Sequence, residues 1–190
     1  MDAIDLLDHG YAWTAARIAA VPADGLDAPT PCSLWNLQEL LDHTIDSLTM
    51  VTDAVAGAPA SVDEAGPDTP DVQALGSTPW DRAIAELAAR SRRAWEAPGV
   101  MDRIFELPIG TLPGPAVASG ALLEVVLHGW DISQAGGEAA EIPDALALPV
   151  LEFARRPVVD ANRGDNFAAD LGIGDTPSDQ LVAFLGRKPL

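Results

Sequence analysis

Apolar residues recur at helical spacing in four long segments of this chain, and this pattern restricts the fold more than any other feature. The segments cover approximately residues 3–20, 36–57, 78–97 and 115–135. The first three start at good N-cap residues, Asp2, Asn36 and Thr78, and Thr78 is followed by proline. Because strand patterns are almost absent, the sequence predicts an all-α four-helix bundle.

The segments between and after these helices contain turn-forming residues. Residues 57–78 are rich in Pro, Gly and Asp, which predicts a long crossover loop. Residues 103–112 alternate poorly and contain Pro108 and Gly110, so we predict a short extended segment rather than a sheet strand.

A weaker helical pattern at 144–160, interrupted by two prolines, and a short one at 178–185 close the chain. We therefore expect a single domain over 1–190, with the bundle in about 1–137 and short C-terminal additions in about 138–190.

Composition and charge narrow the possible partners. The chain has 29 acidic and 11 basic residues, a net charge of −18, which disfavours nucleic acid and anionic membranes. Its single cysteine, Cys32, excludes an internal disulfide and a Cys-rich zinc site. The acidic N-terminus does not resemble a secretory signal, and no apolar run approaches the roughly 18 residues that span a bilayer. These features predict a cytoplasmic protein that acts on a small molecule. We expect a monomer or a homodimer, although composition does not determine which.

Two ionisable residues interrupt the apolar stretch "ALLEVVLHGWD" of the fourth helix. Helical spacing places Glu124 and His128 on one inner stripe, on adjacent turns, with Cβ atoms about 5–6 Å apart. Burying such groups without partners costs several kcal/mol. They either satisfy each other in a metal-free bundle or bind one metal ion together.

A third ligand is available on the second helix. His43 lies at the inner edge of that helix, so His43, Glu124 and His128 would give a metal three protein ligands and leave one coordination position open, as in catalytic sites. Two imidazoles and one carboxylate favour zinc, while Fe, Ni, Co and Mn also accept these ligand types.

Other residues are weaker candidates, each with an ordinary structural explanation. Asp131 either accepts an imidazole N–H or is solvated, and it is, with Asp46, one of two candidates for a general acid or base. His9 fits a surface position, and Cys32 fits packing better than a reactive thiol. Possible substrate contacts, from aromatic rings or a guanidinium, are Trp35, Trp130 and Arg155.

Three segments carry a family resemblance: "TPCSLWNLQELLDHT", "ALLEVVLHGWDISQA" and the closing "DQLVAFLGRKP". Together they resemble the actinobacterial metal-binding proteins of the DinB-like superfamily, which are related to the N-terminal domain of mycothiol-dependent maleylpyruvate isomerase. The resemblance implies a DinB-like four-helix bundle. It also implies a divalent metal, usually zinc, bound by residues that here are His43, Glu124 and His128.

The resemblance leaves the reaction open. The isomerase has a further C-terminal domain that contributes to substrate binding, whereas only residues 136–190 follow the fourth helix here. We therefore expect a divalent-metal-dependent enzyme, a mycothiol-type thiol transferase or isomerase acting on a small electrophile, with hydrolysis as a further option. The alternative is a non-catalytic, metal-dependent protein that binds a small molecule or serves a stress response.

Overall fold

Six α-helices form the fold in the computed structural model, which describes residues 1–57, 79–163, 166–172 and 174–190. The helices are α1 (Ala3–Ile18), α2 (Leu37–Ala56), α3 (Pro79–Trp95), α4 (Gly114–Ala135), α5 (Asp144–Ala154) and α6 (Pro177–Phe184). Helices α1 and α2 each pack against both α3 and α4, which closes a four-helix bundle. The predicted fold class is confirmed.

Local capping explains where the first two helices begin and end. The Asp2 carboxylate accepts hydrogen bonds from two backbone N–H groups of the first turn of α1. At α2, Asn36 and Glu39 form a reciprocal capping box, and the helix ends at Gly57 with a φ of 74°. The predicted cap Thr78 and the predicted loop after Gly57 lie outside the described residues.

The prediction for residues 103–112 was wrong. Strands β1 (Ile104–Leu107) and β2 (Gly110–Pro113) form an antiparallel hairpin in which Leu107 pairs with Gly110. Pro108 occupies the two-residue turn, and Gly110 has a φ of 124° that other residues rarely adopt. The two residues that we interpreted as strand breakers therefore form the hairpin turn and its exit.

Helix α4 packs closely against α1, and this contact determines the distance between the two helices. Gly129 is buried where the two backbones approach, and a Cβ there would lie 2.8 Å from the ring of Trp13 and closer still to the hydroxyl of Thr14. That hydroxyl donates a hydrogen bond of 2.7 Å to the carbonyl of Val125. The fit orients the face of α4 that carries the ionisable residues.

The C-terminal part packs on the bundle through α5, which contacts α1 and α4, and α6 packs against α5. The fifth helix is shorter than predicted: it contains Pro149 but ends at Ala154, ahead of Pro157, because the residue before a proline disfavours helical geometry. The sixth helix lies within one residue of its predicted position at both ends. The division into a bundle and an extension near residue 137 stays a prediction.

Among the described residues, no helix combines the length and apolar character needed to cross a membrane.

Candidate metal centre

The structure brings together the three residues that the sequence predicted as metal ligands. His43 of α2 and Glu124 and His128 of α4 each offer one ligand atom, and these atoms lie within 4.8 Å of one another. In the described part of the chain, this is the one such group of three or more His, Cys, Asp or Glu residues. His43 and Glu124 are 32% exposed and His128 is 6% exposed, so the cluster opens to solvent on the His43 side.

The donor spacing fits a small divalent ion. Glu124 Oε1 lies 3.1 Å from His43 Nε2 and 3.4 Å from His128 Nε2. Zinc–ligand bonds of about 2.0–2.1 Å place neighbouring donors of a tetrahedron about 3.3 Å apart. The two oxygen–nitrogen distances agree with this value, and all three ligand atoms lie within 4.8 Å of one another. That these three residues bind a metal remains a prediction.

Two neighbours hold the exposed side of the cluster. The Ser47 hydroxyl, one turn after His43, donates a 2.8 Å hydrogen bond to Glu124 Oε1. The Trp35 indole stacks on the His43 ring with centroids 3.9 Å apart and lies edge-on to His128 at 5.9 Å. Both contacts restrict the side chains that converge on the centre.

A buried ion pair supports the inner side of the cluster. Asp131, fully buried, places Oδ2 3.2 Å from Nδ1 of His128. The Nε–H of Arg187 lies 3.3 and 3.2 Å from the two oxygens of that carboxylate, and the Arg187 Nη1 donates to the carbonyl of Asn166 at 3.0 Å. With Nδ1–H donated to Asp131, the Nε2 of His128 is directed toward Glu124.

The protonation of the metal-free centre follows from these contacts. Burial by itself lowers the pKa of His128, but the charge of Glu124 and hydrogen bonds to Asp131 and Glu124 raise that pKa to about 10. Burial by itself raises the pKa of Glu124, and His128, His43 and Ser47 together hold it well below its usual value. Without metal, the centre therefore contains an imidazolium–carboxylate pair at neutral pH.

The remaining predicted residues lie in different environments. Asp46 is exposed on α2, and partial desolvation and the charge of Asp42 raise its pKa. Trp130 is buried in the core, and Arg155 is exposed at the end of α5. Substrate contacts from Trp130 and Arg155 and an acid or base role for Asp46 stay predictions.

Cys32 and His9 lie where their ordinary structural explanations, packing for Cys32 and a surface position for His9, would place them. Cys32 is buried in the hydrophobic cluster, and His9 is exposed.

Two residues of the centre were not predicted as part of it. Ser47 shares the inner stripe of α2 with His43, and its spacing of four residues was a signal that could have identified it. Arg187 lies 56 positions from Asp131, and no periodicity connects two residues so far apart.

Comparison with known proteins identifies the family. A family model described as the mycothiol maleylpyruvate isomerase N-terminal domain matches residues 7–133. The chain belongs to this family. The match confirms the resemblance drawn from the sequence and spans the bundle from α1 almost to the end of α4, including all three candidate ligands and Asp131. Arg187 lies outside the matched residues.

Relatives of this family member occur in Mycobacterium tuberculosis. Two proteins described as uncharacterized, from strains CDC 1551 / Oshkosh and ATCC 25618 / H37Rv, are each 34% identical over 177 residues. The alignment covers 91% of this chain and 91% of each relative, so the likeness extends beyond residue 133 into the C-terminal part. No solved structure matches the chain.

Proposed function

We propose that this protein binds one divalent metal ion, most suitably zinc, through His43, Glu124 and His128 and is a thiol-dependent transferase or isomerase for a small electrophilic molecule. The observation that carries the proposal is the convergence of three ligand atoms within 4.8 Å at a partly open position. Two imidazoles and a carboxylate are also the ligand types that zinc accepts in catalytic sites.

The chain's own residues hold and orient the donor atoms. Asp131 keeps the His128 ring turned with Nε2 toward the centre, Ser47 restrains Glu124, and Trp35 covers one face of His43. A bound divalent ion would supply Lewis-acid chemistry, which lowers the pKa of a coordinated thiol or water so that it becomes a nucleophile near neutral pH. The exposed sides of His43 and Glu124 are where a substrate would approach.

Thiol dependence rests on the family. The matching family is named for a mycothiol-dependent isomerase domain, and a low-molecular-weight thiol such as mycothiol is therefore our proposed co-substrate. The strongly acidic composition fits a small-molecule substrate better than a nucleic acid. The proposal includes a cytoplasmic location, which the single cysteine supports.

Metal content of tag-free protein, measured by inductively coupled plasma mass spectrometry, tests the site. We expect about one equivalent of metal in the wild type and loss of that metal in His128→Ala, His43→Ala and Glu124→Ala. The matched control is His9→Ala, because His9 is exposed and belongs to α1 rather than to the cluster. Equal metal content in all five proteins would refute the ligand assignment.

The alternative function is a non-catalytic protein that binds a small molecule in a metal-dependent way, for example in a stress response. One observation favours it: Asp131 is engaged by His128 and Arg187 and is fully buried, so it does not face an incoming substrate. Incubation of the zinc-loaded protein with mycothiol and chlorodinitrobenzene separates the two. Metal-dependent formation of the thioether with release of chloride supports the enzyme, and binding of mycothiol without turnover of any electrophile tested supports the alternative.

A further inference from the structure

We infer that Arg187, in the segment after α6, is a positioning residue of the metal centre that acts through Asp131 on His128. The inference rests on the proposed function, because it assumes that His128 is a ligand. It adds that the C-terminal part of the chain, outside the region matched by the family model, completes the centre.

The contacts form one continuous chain of hydrogen bonds. His128 Nδ1 lies 3.2 Å from Asp131 Oδ2, and the Nε of Arg187 lies 3.2 Å from the same oxygen and 3.3 Å from its partner. All three side chains are buried: Asp131 is fully inaccessible, and His128 and Arg187 are 6% and 7% exposed. Little water can reach these groups, so each of them needs partners within the protein for its hydrogen bonds.

Arg187 is itself fixed by the backbone around it. Its Nη1 donates to the carbonyl of Asn166, and its own N–H donates to the carbonyl of Val182 at the end of α6. Gly186 precedes it with a φ of 73° and lies so close to Ala168 that a Cβ would meet that backbone at 2.6 Å. The C-terminal segment therefore presents the guanidinium in one position.

A fixed guanidinium leaves the Asp131 carboxylate little freedom to turn. The carboxylate in turn determines which nitrogen of His128 carries the proton and where the ring points, and such supporting residues commonly change metal affinity 10- to 100-fold when they are removed. Arg187 thus orients the donor atom Nε2 of His128 through one intervening residue, Asp131.

Arg163 provides a matched control. It is also a buried arginine, 8% exposed, and it also holds the C-terminal part, since its Nη1 donates to the carbonyls of Ala168 and Phe184. Its ion pair, however, is made with the exposed Asp160. Removing Arg163 loosens the same part of the chain without touching the carboxylate that faces His128.

The test is the affinity of full-length protein for Zn²⁺, measured by competition with a chromophoric chelator, together with the visible spectrum of the Co²⁺ form. We expect Arg187→Met and Asp131→Asn each to weaken Zn²⁺ binding about 10- to 100-fold and to shift the Co²⁺ bands. The double variant should bind no more weakly than the weaker single variant, because both changes remove one support. Arg163→Met should match the wild type in both readouts.

The outcomes are distinguishable. If the wild type binds no metal, the proposed function fails; if it binds metal and Arg187→Met binds equally well, this inference fails and the proposed function stands. Equal weakening in Arg163→Met and Arg187→Met would also overturn the inference, since the effect would then be general loosening. Should Arg187→Met not fold, Arg187→Lys decides: a lysine keeps the charge but not the fork of donors, so an affinity equal to the wild type would refute the role.

Discussion

Replacing Gly129 by alanine should destabilise the protein because α1 leaves no space for a Cβ at this position of α4. The new atom would lie 2.8 Å from the Trp13 ring and nearer still to Thr14 Oγ1, closer than non-bonded atoms tolerate. Overpacking of a tight site costs about 1–3 kcal/mol. Displacing Thr14 also breaks its hydrogen bond to Val125, worth about 0.5–1.5 kcal/mol. A Gly→Ala change in a helix interior also gains about 0.5–1 kcal/mol from helix propensity, so we expect a net loss of about 1–3 kcal/mol in the free energy of unfolding.

Gly120 is the matched control on the same helix. It lies in α4. Apart from its two chain neighbours and the adjacent backbone of α4 itself, no heavy atom lies within 4 Å of the position that a Cβ would take there. Gly120→Ala should therefore gain about 0.5–1 kcal/mol from helix propensity alone. The two substitutions are chemically identical and have opposite predicted signs, so a general effect of alanine on α4 cannot explain the result.

Urea unfolding, followed by circular dichroism, measures both variants against the wild type. With a urea dependence of about 2 kcal/mol per molar, Gly129→Ala should lower the unfolding midpoint by about 0.5–1.5 M and Gly120→Ala should raise it slightly. A Gly129→Ala midpoint equal to or above that of the wild type would refute the close approach of α1 and α4. Since α4 carries Glu124 and His128, it would also undermine the geometry derived for the centre.

Further predictions concern the centre directly. Ser47→Ala removes the hydroxyl that holds Glu124 and should weaken Zn²⁺ binding by roughly tenfold. Ser119→Ala removes a hydroxyl of α4 that donates to the carbonyl of Pro115 instead, and it should leave Zn²⁺ binding unchanged; chelator competition compares the two variants. In metal-free protein the pKa of His128 is raised from 6.5 to about 10. Protonated His128 therefore contributes its full stabilisation below pH 6.5, and this contribution is lost as the pH rises through about 10. The free energy of unfolding should fall over this pH range in the wild type and should fall less in His128→Gln. Because His128 is protonated at neutral pH without metal, Zn²⁺ binding should release a proton, so the heat measured by calorimetry should change with the ionisation enthalpy of the buffer; observed heats that do not differ between buffers would refute this.

The bundle and the three candidate ligands could be predicted because their signals are local. Asn36 with Glu39, and Gly57 at the end of α2, determine the ends of that helix within a few residues of sequence. Helical spacing then places His43 on the inner edge of α2, and the same rule places Glu124 and His128 on one stripe of α4. Each inference used contacts within one helix, where sequence separation and spatial separation are related by simple geometry.

The hairpin was missed because its signals have two meanings. Pro108 and Gly110 are unfavourable inside a strand, and the same residues are favourable in the turn between two strands. Residues 104–107 and 110–113 are too short for alternation to decide between these readings. What stabilises the hairpin is tertiary contact: Phe105 is buried, with its ring centroid 6.1 Å from that of Trp95 on α3.

For Asp131, which supports His128, the sequence indicates that a partner is needed but not which residue it is. Asp131 follows a strongly apolar stretch, and a buried carboxylate requires a cationic or hydrogen-bonding partner, so the existence of a partner could be argued from residues 121–131 alone. Its identity could not, because every arginine satisfies the same electrostatic requirement. Arg155, which we considered for contact with a substrate, is exposed at the end of α5, whereas Arg187 is buried and reaches Asp131. Only the path of the chain after α6 selects between them, and that path depends on packing contacts between segments distant in sequence.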